Sequence, residues 1–210
     1  MRLLSLALLP LLSGCFSTTP NLSPVPLEAG RVEIGAAGGT AFSYLIGDPG
    51  DASNAVPGAW GGAARVGLGA GYDVGLEMLQ LPRADQSQVR VSFRHGGRRE
   101  RRPVATLVFV TAGTSDERRG GYVGISRVKA RTWEADGTTY AGFHILAGGG
   151  KNPNPGYYEG DGNSASLGAG VQWGVERRFG RAFVRAEGGV TYVLPWFLQG
   201  SGLVSAGVRF

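Results

Sequence analysis

From Arg31 onward, apolar and polar residues alternate along most of the chain. In Ala165–Arg177, residues Ala165, Leu167, Ala169, Val171, Trp173 and Val175 share one face. Ser166, Gly168, Gly170, Gln172, Gly174 and Glu176 share the other. Successive side chains of a strand point to opposite sides of its sheet, so a period of two predicts a strand with one apolar face. The same pattern predicts strands at about Arg31–Gly38, Gly62–Gly69, Tyr72–Leu81, Gln88–His95, Thr138–Ala147, Arg181–Leu194 and Gly202–Phe210. Val104–Ala112 is apolar on both faces, which leaves its register open. Gly121–Arg131 changes phase near Ser126, which predicts a bulge or a shifted boundary there. That makes about ten strands, with eight still possible, and no segment has the period of a helix.

The connections follow a parity. If both ends of this strand set lie on one side, the two longest connections, 39–61 and 148–164, fall together on the opposite side. The tight turns at Ala70–Gly71 and Phe179–Gly180 then fall on the side of the ends. Long connections on one rim and short ones on the other suit an up-and-down barrel. Trp60, Tyr122, Tyr192, Trp196 and Phe197 would ring the long-loop rim, and Tyr72, Trp133, Phe179 and Phe210 the other.

Composition sharpens this picture. Glycine supplies 37 of 210 residues and only 18% are charged. The glycines stand inside alternating segments and at turns, with aromatics between them, so they mark β-structure rather than a floppy chain. No run reaches the roughly 18 apolar residues of a spanning helix. Hydrocarbon cannot satisfy open sheet edges, so a membrane protein built from these strands must close into a barrel. The net charge of +5 is modest, and no basic, aromatic-studded surface suggests nucleic acid as a partner.

Residues 1–14, MRLLSLALLPLLSG, carry one basic residue and then an apolar stretch of signal-peptide length. The sequence Leu12-Ser13-Gly14-Cys15 resembles a bacterial lipobox, which implies cleavage before Cys15 and acylation, palmitate included, at that residue. Cys15 is the only cysteine, so no disulfide can form. Several acyl chains anchor firmly where one is marginal. Residues 15–30, rich in Pro, Ser and Thr, are expected to be a flexible tether, and 31–210 the barrel.

The final strand, GLVSAGVRF, alternates to a terminal Phe210 and resembles the closing strand of bacterial outer-membrane β-barrels. The resemblance implies an all-β, antiparallel up-and-down transmembrane β-barrel in the bacterial outer membrane. It also implies that the barrel insertion machinery reads the C-terminal strand and that outer membrane lipids surround the wall. The lipid anchor would sit on the periplasmic side. No enzyme, cofactor or metal is implied.

The inward face would carry Arg31, Glu33, Arg65, Asp73, Glu77, Arg90, Arg94, Gln172, Glu176, Arg185, Glu187 and Arg209. A barrel this narrow is filled by its own side chains, and opposite charges are expected to pair in it. His144 is the only histidine within a strand and the natural centre of an outer-membrane enzyme acting on lipid or lipopolysaccharide. The chain lacks the His-x-Ser arrangement of outer-membrane deacylases and the paired aspartates and Asp-x-His of omptins. A structural lumen histidine is therefore the expectation. The same sequence also admits a small pore or a soluble periplasmic β-barrel lipoprotein. The turn His95–Pro103 groups Arg98, Arg99, Arg101 and Arg102, which suit phosphate contact with lipid headgroups. Loops 39–61 and 148–164 are the expected surface for lipopolysaccharide or another surface partner.

Overall fold

A computed structural model describes residues 23, 25–45, 56–81, 86–97, 103–115, 119–133, 136–151, 163–194 and 197–210. Ten antiparallel strands close into one barrel. They are β1 (Val32–Leu45), β2 (Val56–Gly69), β3 (Tyr72–Leu81), β4 (Gln86–Gly97), β5 (Val104–Ser115), β6 (Arg119–Trp133), β7 (Gly137–Lys151), β8 (Asn163–Phe179), β9 (Ala182–Val193) and β10 (Phe197–Arg209). Each strand pairs with its neighbours in sequence, and β1 pairs with β10 from Glu33↔Arg209 to Leu45↔Phe197. Closure leaves no unpaired edge. We call the end where β1 begins and β10 finishes the proximal end, and the opposite end distal. The strand ends Leu45 and Val56, and Lys151 and Asn163, are distal. The turns Ala70–Gly71 and 180–181 are proximal, as the parity expected. Ala70 (φ 50°) and Gly71 (φ 80°) are both left-handed, which a two-residue hairpin turn of this twist requires.

The strands run longer than the alternation alone indicates. β8 covers 17 residues, and β6 and β7 cover 15 each, against the roughly 9–11 that cross a bilayer. β1 extends beyond Gly38 to Leu45, and β2 begins at Val56, so part of the expected loop 39–61 belongs to the wall. The expected irregularity near Ser126 is absent: β6 pairs with β5 and β7 in unbroken register. The register shifts lie instead at Gly39/Thr40 between β1 and β2 and at Gly67/Gly69 between β2 and β3. The open register of β5 resolves with Val108 and Val110 outward and Leu107 and Phe109 inward.

The wall has an apolar outside. Ile34, Leu76, Val91, Val110, Ile125, Phe143, Val171, Trp173 and Val204 are all exposed, while the inward alternates are buried. Glycine explains how the lumen holds its contents. Large inward side chains sit directly across from a glycine on the neighbouring strand: His144↔Gly170, Tyr140↔Gly174, Leu146↔Gly168, Phe109↔Gly124, Arg65↔Gly75 and Phe183↔Gly207. A Cβ on Gly170 would lie 2.5 Å from His144 Nε2, and one on Gly174 would lie 2.4 Å from the Tyr140 ring. Small facing large is how a narrow barrel fills without strain.

Two further expectations need correction. Tyr122 is not a rim aromatic; it points inward and is buried. Arg31 is not a lumen residue; its side chain is 57% exposed and lies 3.9 Å from Glu28.

Candidate functional site

The lumen divides into a charged proximal cluster, a hydrogen-bonded middle and a more apolar distal part. Period-two alternation sends each of these side chains inward. In the proximal cluster, Glu33 of β1 stands across from Arg65 of β2 and from Arg209 of β10, and Glu176 of β8 across from Arg185 of β9. Glu33 accepts hydrogen bonds from Arg65 (3.2 Å), Arg185 (3.0 Å) and Arg209 (2.6 Å). Glu176 accepts from Arg185 Nε and Nη2 (3.1 and 2.8 Å), Arg209 (2.9 Å) and Arg178 (2.9 Å). Asp73 accepts from Arg65 at 2.8 Å, and Arg94 lies 3.5 Å from its other oxygen. The Phe183 ring packs against the Arg185 and Arg209 guanidinium groups, 4.8 and 5.2 Å from its centroid. Removing one of these charges would cost stability, because its partners lose a counter-charge where water does not replace it fully.

The chain before β1 belongs to this cluster. Leu27 donates its backbone N–H to Asp73 Oδ2 at 3.1 Å, and Arg65 donates to the Val25 carbonyl at 3.1 Å. Ser23, Pro26 and Leu27 are buried. Gly30 donates to the Gly67 carbonyl, and a Cβ on Gly67 would lie 1.9 Å from the Glu28 carbonyl oxygen. So the described end of the segment expected to be a flexible tether is seated across the proximal mouth. The Leu27 N–H and the Val25 carbonyl are met by barrel side chains, and the Gly30 N–H by the barrel backbone.

In the middle of the lumen, Arg90 donates to Glu77 (3.1 Å), Thr111 (3.1 Å) and Tyr122 (3.0 Å), and its guanidinium lies 5.5 Å from the Phe109 ring centroid. Tyr140 donates to Glu187. His144 Nε2 lies 2.7 Å from Thr191 Oγ1. The distal part holds Leu79, Leu81, Leu203 and Ala59 as one apolar cluster, and Leu107, Phe109, Tyr122 and Leu146 form a second beside Arg90 in the middle.

The inward candidates Arg65, Glu77, Arg90, His144, Glu176, Arg185 and Glu187 are thus all buried, and they divide between two groups. Arg65, Glu176 and Arg185 share the proximal cluster; Glu77 and Arg90 pair in the middle; Glu187 meets Tyr140; His144 meets Thr191. His144 and Thr191 are each 0% exposed, so neither is presented to a substrate. Cys15, Arg98, Arg99, Arg101 and Arg102 lie outside the described residues, as do 46–55 and 152–162 of the two long connections. Alternation alone already turns Tyr140 and Thr191 inward, while sequence reading missed Tyr122 and Thr111 as lumen partners. It also missed the outward position of Arg127, Lys129 and Arg131 on β6, whose side chains are exposed.

No protein-family model matches this chain, and no curated protein matches it. Solved structures do. An outer membrane channel from Pseudomonas putida F1 aligns over 92% of this chain and all of its own, at 7% identity and a TM-score of 0.56. The N-terminal β-barrel domain of Pseudomonas aeruginosa OprF aligns over 88% of this chain and all of its own, at 12% identity and a TM-score of 0.42. The outer membrane protease OmpT from Escherichia coli aligns over 92% of this chain and 99% of its own, at 9% identity and a TM-score of 0.45. The likeness to the channel shows a fold shared with outer-membrane β-barrels. Fold alone assigns no activity.

Proposed function

We propose that this chain is a lipid-anchored outer-membrane β-barrel with a structural or surface-interaction role. Residues 1–14 are removed, Cys15 is acylated on the periplasmic side, and the segment up to residue 30 joins that anchor to the proximal mouth. The proximal end then faces the periplasm, and the connections 46–55 and 152–162 face outward toward lipopolysaccharide or a surface partner. The C-terminal strand is the part offered to the insertion machinery.

One observation carries the membrane reading. The barrel is closed and apolar on its outside, while Glu33, Asp73, Glu77, Glu176 and Glu187 are buried inside with Arg65, Arg90, Arg94 and Arg185, and Arg209 is half-buried at the proximal end. A water-soluble barrel places apolar residues inside and charged ones outside, the reverse of this arrangement. The paired lumen charges support a filled interior rather than an open channel, and the burial of His144 argues against an enzyme centred there.

The test uses outer membranes purified from cells expressing the full chain and a Cys15→Ala variant, both grown with labelled palmitate. Boiled and unboiled samples are run side by side on a detergent gel. The expected result is a mobility shift on boiling for both proteins and label on the wild type alone. Absence of the shift would overturn the membrane barrel. Label retained on the variant would overturn the anchor at Cys15.

A further inference from the structure

The outside of β6 breaks the apolar band. Val123 and Ile125 are exposed apolar residues, and the next three outward positions are Arg127, Lys129 and Arg131, all exposed. The unbroken ladders to β5 and β7 fix this facing. Arg127 lies between Thr106 and Phe143, and Lys129 between Val104 and Ala141; Arg131 stands across from Thr139. Every one of these neighbours is neutral. Among the described residues no carboxylate pairs with any of the three cations.

Alternate residues on a strand are roughly 7 Å apart. Three like charges in a column at that spacing repel one another, and among the described residues no carboxylate on the wall compensates them. The column also runs toward the proximal rim, ending next to Trp133. There Arg177 of β8 lies 5.8 Å from the Trp133 ring centroid and 5.9 Å from that of Phe179. Aromatics in this position mark the level of lipid headgroups. Long Arg and Lys stems lie along an apolar wall while their charged heads reach that level.

We propose that Arg127, Lys129 and Arg131 form a binding site for anionic phospholipid headgroups in the periplasmic leaflet. The phosphates supply the missing negative charge, and acyl chains lie against Ile125 and Phe143 above. This rests on the reading of the chain as a membrane barrel. It identifies a lipid site on the wall distinct from the arginine turn 98–102.

The test reconstitutes the full chain into vesicles of equal parts phosphatidylglycerol and phosphatidylethanolamine. Barrels that shift on boiling are extracted in mild detergent, and retained phospholipid is read by native mass spectrometry. Each cation near an anionic surface contributes roughly fivefold to binding. The wild type is expected to retain phosphatidylglycerol at least roughly fivefold over phosphatidylethanolamine. The triple variant Arg127→Gln, Lys129→Gln, Arg131→Gln is expected to lose that preference, while Arg119→Gln, at the distal end of the same strand, keeps it. A folded wild type with no preference would overturn the site and leave the barrel standing, as would a folded triple variant with its preference intact. Failure of the wild type to insert and shift would overturn the membrane reading and the site together.

Discussion

Replacing Glu176 with Gln removes one charge from the proximal cluster and keeps the side chain's shape. In the folded barrel that carboxylate receives four hydrogen bonds from three arginines and is 0% exposed. Deleting one partner of a buried ion pair costs about 3–5 kcal/mol, because the remaining charge is neither solvated nor paired. The local geometry places this case near the low end. Arg185 and Arg209 both keep bonds to Glu33, at 3.0 and 2.6 Å, and Arg178, 31% exposed, can turn to water. The expected loss is therefore about 3 kcal/mol. A hydrophobic pair in place of a buried ion pair is often neutral or stabilising, so Glu176→Leu combined with Arg185→Leu is expected to recover most of that loss. Urea titration of folded barrel in detergent micelles, scored by the fraction that keeps its unboiled gel mobility, measures both. A Glu176→Gln protein within about 0.5 kcal/mol of wild type, the range of ordinary surface changes, would refute the account. So would a double variant no more stable than the single one.

Gly67→Ala is expected to dislodge residues 25–30, because its Cβ would lie 1.9 Å from the Glu28 carbonyl oxygen. Limited proteolysis checks this: cleavage within 23–31 should speed up in the variant while the barrel stays intact. Tyr140→Phe leaves the buried Glu187 without its phenolic donor, at a cost of about 1–3 kcal/mol, and the same urea titration reads it.

Much of this fold is legible in the sequence, because the period of a strand is a local property. The alternation in Ala165–Arg177 and Gly202–Phe210 correctly divides inside from outside, and β3 runs over Tyr72–Leu81 as the pattern indicates. Where alternation fades, local reading stops early. β1 continues through Gly38-Gly39, and β2 starts at Val56-Pro57-Gly58, because ladder hydrogen bonds to neighbours hold those residues whatever their side chains. β6 shows the opposite error. Sequence reading assumes that an outward position is apolar, so Arg127, Lys129 and Arg131 look like a change of phase. The ladders from β5 and β7 hold the phase and turn the cations outward.

The candidate lumen was readable as a set of inward charges but not as contacts. Glu33 meets Arg185 and Arg209 only because β1 closes onto β10, which no local pattern encodes. The same holds for the arrest of residues 25–27 by Arg65 and Asp73.

By itself, then, the sequence determined the strands, their two faces, the parity of the connections and the excess of glycine. Only the tertiary structure decided which glycine faces which large side chain, which charges pair, and that the segment before β1 lies across the proximal mouth. The physical reason is that side-chain period is set by one strand's backbone, whereas register and closure are set by hydrogen bonds between strands far apart in the chain.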